Sequence, residues 1–141
     1  MARIFWDTNL FIYLVESHHT LCGRVESVWH GMLERGDRLY TSALTVGELL
    51  VKPASIGSHE LEQRYLHLMK NPRITVLSFD LGVAPKYARI RGDRSIRPPD
   101  AIQLACAASA EVDLFITNDD RLSRKRIPEI KFITSLEHAP F

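Results

Sequence analysis

Short apolar segments alternate with longer helix-forming segments along this 141-residue chain, and that alternation limits its fold more than any other feature. The first apolar segment, ARIFW, is mostly apolar instead of alternating, as expected for a central strand covered on both faces. Strands separated by helices usually pair in parallel, so we expect an α/β domain with a parallel sheet. The predicted strands are 2–6, 38–41, 74–79, 113–117 and 131–134.

The segments between these strands carry the start and stop signals of helices. Gly36 and Gly92 are expected to end helices, and Ser58 is expected to cap one. No repeat, low-complexity tract or linker interrupts the pattern, so we expect one domain spanning residues 1–141. The predicted helices are 21–35, 58–70, one that starts between 81 and 85 and ends at 91, and one from 98 to about 110.

The composition excludes several classes of protein. The net charge of +1 gives no general attraction to polyanions, so a nucleic-acid partner would need a local basic patch. Cys22 and Cys106 have no motif spacing, and Cys106 is expected to be a reduced core thiol. The apolar run 10–15 is too short to cross a bilayer and follows Asp7, which predicts a cytoplasmic protein. Motifs of serine hydrolases, nucleoside triphosphatases and dinucleotide enzymes are absent. The HExxH zinc motif is also absent, so the histidines, His18 and His19 among them, are interpreted as surface or structural residues.

Four acidic residues are expected to meet at one edge of the sheet. Ligands bind beyond the carboxyl ends of parallel strands. Asp7 directly follows the first strand, and Asp119 lies just beyond strand 113–117. Asp100 opens the helix that runs back from this edge, and Glu48 lies little more than a turn into a helix that leaves the second strand. Carboxylates brought together in this way repel one another, so the pattern predicts a site for a hard divalent cation such as Mg²⁺.

Each acid also has a purely structural interpretation. Asp7 and Asp100 could cap helices, and Asp119 could be a turn residue. Glu48 is harder to explain in this way, because a glutamate on an apolar helix surface is rarely buried without a partner. Asp80 also follows a strand but has no acidic companion, and we interpret it as a cap. Convergence of the four acids therefore carries the prediction of a site.

These segments together resemble the PIN-domain nucleases, and their length and order resemble VapC-type toxins. "DTN" at 7–9 is similar to the opening motif of the family, and Glu48 in "SALTVGELL" is similar to its second acid. "PPDAIQLACA" contains Asp100 as the third acid, and "ITNDDRL" contains Asp119 as the fourth. Asp120 lies beside Asp119 and could also point into the site, although the motif register favours Asp119.

The resemblance implies a three-layer α/β/α sandwich with a five-stranded parallel sheet of order 3-2-1-4-5. It implies cleavage of single-stranded or loop RNA with Mg²⁺ or Mn²⁺ bound by the four acids, which are then both metal ligands and catalytic residues. Asn9 and Thr117 are the supporting polar residues in this resemblance. It also implies a homodimer and inhibition by a cognate antitoxin.

Two further features concern partners. Basic residues flank two of the acids, and Arg94, Arg97, Arg121 and Arg124 are candidate contacts for RNA phosphates. The alternative is that they are solvated surface charges or form ion pairs with acids of the antitoxin. The segment 10–15 is apolar nearly all round, so one face could meet another chain, with burial by the chain's own helices as the alternative.

Three functions are consistent with the sequence. The first is a toxin endoribonuclease, and the second is a PIN-like module that binds RNA or protein without cleaving. The third is a housekeeping nuclease of RNA processing, which would use the same chemistry as the toxin. The complete set of four acids disfavours the binding module, because binding alone does not need them.

Overall fold

The computed structural model describes residues 1–17 and 20–140. Within them the five predicted strands are all present, each with ends within two residues of the prediction. The strands are β1 (Arg3–Trp6), β2 (Arg38–Ser42), β3 (Ile74–Leu77), β4 (Leu114–Thr117) and β5 (Phe132–Ser135). The helices are α1 (Thr8–Glu16), α2 (Cys22–Arg35), α3 (Ala43–Ile56), α4 (His59–Met69), α5 (Ala84–Ile90), α6 (Pro98–Ser109) and α7 (Asp120–Ser123).

The strands form one parallel sheet of order β3-β2-β1-β4-β5, which confirms the predicted order. β1 lies at the centre, where Ile4 pairs with Leu39 of β2 and with Leu114 of β4. Because all five strands run the same way, their carboxyl ends lie along one edge of the sheet.

A hydrophobic core lies on each face of the sheet, which confirms the three-layer architecture. Ile4 and Trp6 of β1 pack with the core formed by α1 to α4, while Phe5 between them packs with the core formed by α5 to α7. All three side chains are fully buried, because successive side chains of a strand point to opposite faces and both faces are covered. The rings of Phe5 and Phe115 stack at 4.9 Å on the second face.

The helix boundaries follow the expected end signals. α2 ends at Gly36, whose positive φ of 73° favours glycine, and the Ser58 side chain caps α4 by accepting a hydrogen bond from Leu61 N. Asp80 accepts a hydrogen bond from Val83 N in the turn before α5, but Val83 is the N-cap residue of α5, so the interpretation of Asp80 as the helix cap is wrong. α7 is a single short turn that the sequence pattern did not predict.

The apolar residues of α1 are covered mainly by the chain itself. Leu10 and Phe11 are fully buried, and Tyr13 is 8% exposed. Ile12, Leu14 and Val15 are partly buried against the same core. Burial by the chain's own helices is therefore the correct alternative for Phe11 and Tyr13, and a free apolar face at these two residues is wrong.

The other expectations about single residues concern cysteines, histidines and membranes. Both cysteines are free thiols, Cys106 is fully buried, and burial raises the pKa of its thiol to about 11. In the described part of the chain, no set of three histidine, cysteine or acidic side chains is arranged to hold a metal ion. His18 and His19, interpreted from the sequence as surface or structural residues, lie outside the described residues. Within residues 1–17 and 20–140, no helix has the length and hydropathy needed to cross a bilayer.

Candidate active site

The centre of the sheet edge is formed by Asp7, which directly follows β1. Its backbone N–H donates to Ile116 O at 3.1 Å and so continues the pairing of β1 with β4. Its side chain caps α1, because one carboxylate oxygen accepts a hydrogen bond from Thr8 N at 2.8 Å. The other oxygen accepts one from Thr117 Oγ1 at 2.9 Å. Asp7 is therefore both a helix cap and a residue of the cleft, so the two interpretations of this residue do not exclude each other.

The electrostatic environment of Asp7 is unfavourable to its charge. Burial raises the pKa of the Asp7 carboxyl above its ordinary value, and the hydrogen bonds from Thr117 and Thr8 offset this in part. The negative charges of Asp100 and Glu48 raise the pKa further. The pKa of Asp7 therefore depends in part on two acids that are distant from it in the sequence.

Glu48 reaches this edge from α3 and is held by a residue of α1. Its Oε1 accepts a hydrogen bond of 2.6 Å from Thr8 Oγ1. The side chain is exposed, so the sequence-based expectation that Glu48 is buried on an apolar surface is wrong. The apolar neighbours in the sequence, such as Leu49, point to the core, whereas Glu48 points to the cleft.

A buried polar network on Gln103 supports Thr8 and Glu48, and the sequence did not reveal it. Gln103 Nε2 donates to Thr45 Oγ1 at 2.7 Å and to Thr8 Oγ1 at 3.2 Å, while its Oε1 accepts from Ser42 Oγ. Gln103 is 2% exposed, so these hydrogen bonds satisfy an otherwise costly buried amide. One signal was available, because Gln103 lies three residues after Asp100 and therefore on the same face of its helix.

Asp100 and Asp119 are joined by arginines. Asp100 lies in the first turn of α6, where Arg97, not Asp100, is the N-cap residue. Arg97 Nε lies 3.2 Å from Asp100 Oδ2, and Arg97 Nη2 lies 3.9 Å from Asp119 Oδ2. Arg121 Nη2 contacts the same Asp119 oxygen at 3.2 Å. Partial burial acts to raise the pKa of Asp119, but the Arg121 hydrogen bonds and charge outweigh it and hold this pKa below its ordinary value.

The four acids line one cleft of about 380 Å³ at the carboxyl edge of the sheet. Asn9 and Arg97 also line it, and Thr117 contacts it through Asp7. Asp120 is exposed in α7 and is not among the lining residues, whereas Asp119 caps α7 and faces the cleft. Arg94 is exposed away from this lining, and Arg124 lines a different cavity.

The residues of the cleft fit a divalent cation in their chemistry. Carboxylate oxygens are the ligands that Mg²⁺ and Mn²⁺ prefer, and burial, with the nearby charges of Asp100 and Glu48, raises the pKa of Asp7, a cost that a bound cation would offset. Arg97 and Arg121 engage Asp100 and Asp119, and Thr8 engages Glu48. Among the described residues, no three acids are arranged to hold a metal ion.

Comparison with known proteins identifies the family of the chain. The family model described as PIN domain matches residues 4–128. A search of curated proteins finds no match.

Solved structures with the same fold come from several bacterial assemblies. A chain of VapBC2 from Rickettsia felis, bound to a DNA fragment from its promoter, superposes with a TM-score of 0.74 at 16% identity, covering 94% of this chain and 98% of that chain. VapC20 from Mycobacterium tuberculosis, described as a sarcin-ricin loop cleaving toxin, superposes with a TM-score of 0.72 at 15% identity, covering 90% of this chain and 98% of that chain. A chain of DNA-bound VapBC from Salmonella typhimurium superposes with a TM-score of 0.67 at 22% identity, covering 96% of this chain and 99% of that chain. At these identities the likeness shows the fold alone.

Proposed function

The chain belongs to the PIN-domain family, and from this membership and the acidic cleft we propose that it is a metal-dependent endoribonuclease. Its substrate is single-stranded or loop RNA. The observation that carries the proposal is the lining of one cleft by Asp7, Glu48, Asp100 and Asp119, which come from four separate parts of the chain. These four residues are the proposed metal ligands and catalytic residues, and Mg²⁺ or Mn²⁺ is the proposed cofactor.

The surrounding residues would hold the acids for this chemistry. Neutralisation of phosphodiester charge and activation of a water are what a bound divalent ion supplies. Thr117 fixes one oxygen of Asp7, and Thr8 fixes one oxygen of Glu48. Asn9 offers an exposed amide beside them. Arg97 and Arg121, which contact Asp100 and Asp119, are the proposed ligands of the phosphates on either side of the cut.

We further propose that the protein is the toxin of a toxin–antitoxin pair, acts in the cytoplasm as a homodimer and is inhibited by a cognate antitoxin. The structural neighbours support this, since they include toxin–antitoxin complexes. α3 carries two exposed apolar side chains, Val51 and Ile56, which suit a surface that a partner chain covers. Mass measurement of the purified protein by light scattering tests the dimer, and growth arrest that a co-expressed upstream gene relieves tests the pairing.

The test of the nuclease is cleavage of a mixed pool of cellular RNA. Wild type, Asp100→Asn and the control Glu60→Gln are each incubated with Mn²⁺, with Mg²⁺ and with chelator. Glu60 is an exposed acid of α4 outside the cleft, so its neutralisation controls for the loss of one negative charge. We expect cleavage by wild type and Glu60→Gln with metal only, and a loss of at least about a hundredfold in Asp100→Asn. Absence of cleavage by folded, antitoxin-free wild type would contradict the proposal, and so would activity of Asp100→Asn in chelator.

A further inference from the structure

A second cavity, separate from the acidic cleft, is lined by α5, by the loop before α6, by Ala108 of α6 and by residues 124–129. It has a volume of about 390 Å³, within the range of pockets that hold small ligands. Its floor is apolar and is formed by Ile90, Ile96, Ala108 and Ile127. Ile90 and Ile96 are buried, while Ile127 is half-buried at the entrance. A pocket with such a floor favours an apolar group, and we call it the α5–α6 pocket.

The rim of the α5–α6 pocket carries more positive than negative charge. Its basic residues outnumber its two acids, Asp93 and Glu129. Lys125 pairs with Asp93 at 2.8 Å, and Lys86 pairs with Glu129 at 3.0 Å. Within residues 1–17 and 20–140, no acid pairs with the remaining rim arginines, apart from a long contact of 3.9 Å between Arg89 and Glu129. The basic rim residues are Lys86, Arg89, Arg124, Lys125 and Arg126.

Two chain segments connect the rim to the acidic cleft. In the first, Ile96 lines the pocket and the next residue, Arg97, lines the cleft. In the second, Asp119 lines the cleft and Arg124 lines the pocket one turn of helix later. Lys125 Nζ joins the two segments, because it contacts Ser95 Oγ at 2.6 Å as well as Asp93. Positive charge therefore continues from the mouth of the cleft to the pocket.

We propose that the α5–α6 pocket binds an unstacked nucleobase of the RNA whose backbone lies across the acidic cleft. This inference rests on the proposed nuclease function and adds a subsite for substrate to it. The apolar floor packs against the base, and the arginine side chains of the rim hold its flanking phosphates or stack on it. Single-stranded RNA offers both groups, since its bases can be splayed out and its phosphates attract arginine. An apolar pocket that continues a basic track from the cleft thus suits RNA better than a peptide.

The test compares strands with and without bases. The Asp100→Asn protein, in which we expect little cleavage, is titrated into fluorescent oligouridylate, oligoadenylate and an abasic ribose-phosphate strand of equal length. Ile127→Asp and Arg126→Gln are added separately, and Arg73→Gln is the matched control because Arg73 is exposed before β3, at the opposite edge of the sheet. Thermal unfolding monitored by circular dichroism checks that each variant folds. Because Arg126 is exposed, we expect Arg126→Gln to fold, and this variant tests the pocket even if Ile127→Asp does not fold.

We expect the parent protein to bind at least one base-bearing strand more tightly than the abasic strand. Ile127→Asp should weaken that binding about tenfold, the size of one lost base contact, and change the abasic strand less. Arg126→Gln should weaken every strand, and Arg73→Gln none. If the wild type cuts RNA but both pocket variants bind as Arg73→Gln does, the pocket inference fails and the nuclease stands. If RNA is neither bound nor cut, both fail. If the pocket variants lose a co-purified protein while RNA affinity is unchanged, the pocket belongs to a protein, which also overturns the inference.

Discussion

The hydrogen bonds of the Asp7 carboxylate stabilise the fold, whereas its negative charge, which the proposed chemistry needs, is unfavourable in the folded state. Its carboxylate caps α1 and accepts a hydrogen bond from Thr117, both of which stabilise the folded chain. Its burial near Asp100 and Glu48 raises its pKa, which means that its ionised form is disfavoured in the folded state. A residue that served the fold alone would not need a charge at this place.

We expect Asp7→Asn to stabilise the metal-free protein while abolishing cleavage. Asparagine caps helices as well as aspartate does, and it removes the buried charge. The melting temperature at neutral pH should rise by a few degrees. Asn9→Asp, which adds a charge to the exposed neighbour, should not raise it. A lower melting temperature for a folded Asp7→Asn protein would show that the charge of Asp7 is favourable in the fold.

The pH dependence of stability at Asp7 has a defined sign. Because the pKa is raised in the folded state, the folded protein holds this proton more tightly than the unfolded chain does. The contribution of Asp7 to stability is therefore fully present below its ordinary pKa of 3.8 and is lost as the pH rises through the raised value. The difference in stability between wild type and Asp7→Asn should accordingly shrink on acidification, as denaturant titrations at several pH values would show.

At the scale of single residues, the sequence located the acids but not what holds them. Asp7 and Asp119 were predictable because they follow strands of a parallel sheet. Gln103 was not predicted as a supporting residue, because the sequence of an alanine-rich helix does not indicate which distant hydroxyl groups its amide contacts. Arg97 was predicted as an RNA contact or a surface charge, but its ion pairs with Asp100 and Asp119 were not predicted, since they depend on how the loop before α6 folds.

Among the helices, α6 has the central position, because it presents Asp100 to the cleft and ties its neighbours together through Gln103. This one amide connects α6 with Ser42 at the end of β2, with Thr45 of α3 and with Thr8 of α1. The start of α6 was predictable from its prolines, and the end of α2 was predictable from Gly36, because these signals are local. α7 was not, because a single turn has too few residues to show a helical period.

We expect Gln103→Leu to weaken metal binding and cleavage without removing any proposed ligand. Leucine keeps most of the volume of glutamine but releases Thr8 and therefore Glu48. The dissociation constant for Mn²⁺, measured by calorimetry, should rise by about 10- to 100-fold, the usual effect of losing a residue that orients a ligand. The control is Gln63→Leu, at an exposed position of α4, which should leave this dissociation constant unchanged. Unchanged Mn²⁺ affinity in folded Gln103→Leu would remove Gln103 from the support of the site.

At the scale of the whole molecule, attraction to RNA is expected to depend on where the basic residues lie and not on the net charge. The chain carries only +1 overall, yet Arg97 and Arg121 stand at the cleft and further arginines surround the α5–α6 pocket. Parallel topology was predictable from the order of strands and helices. The second cavity was not, because residues that are distant in sequence, such as Ile90 and Ile127, form its floor.

We expect the salt dependence of RNA binding to reflect this distribution. In the Asp100→Asn protein, replacing both Arg97 and Arg121 by glutamine should flatten the slope of log affinity against log salt by about 1.4, since each phosphate contact to a single strand contributes ~0.7. Arg38→Gln with Arg73→Gln removes as much charge from the exposed opposite edge of the sheet and should leave the slope unchanged. Equal slopes for the two double variants would exclude the cleft arginines from the RNA contact.

The most direct test of the central claim is an anomalous diffraction experiment on crystals of the wild-type protein soaked in Mn²⁺. The four-acid account requires a manganese peak inside the cleft, within coordination distance of Asp7 and Asp100, and its loss from crystals of Asp7→Asn. A cleft that stays empty at millimolar Mn²⁺ in crystals of a protein that cuts RNA in solution would contradict the account, because the catalytic metal would then have to bind elsewhere.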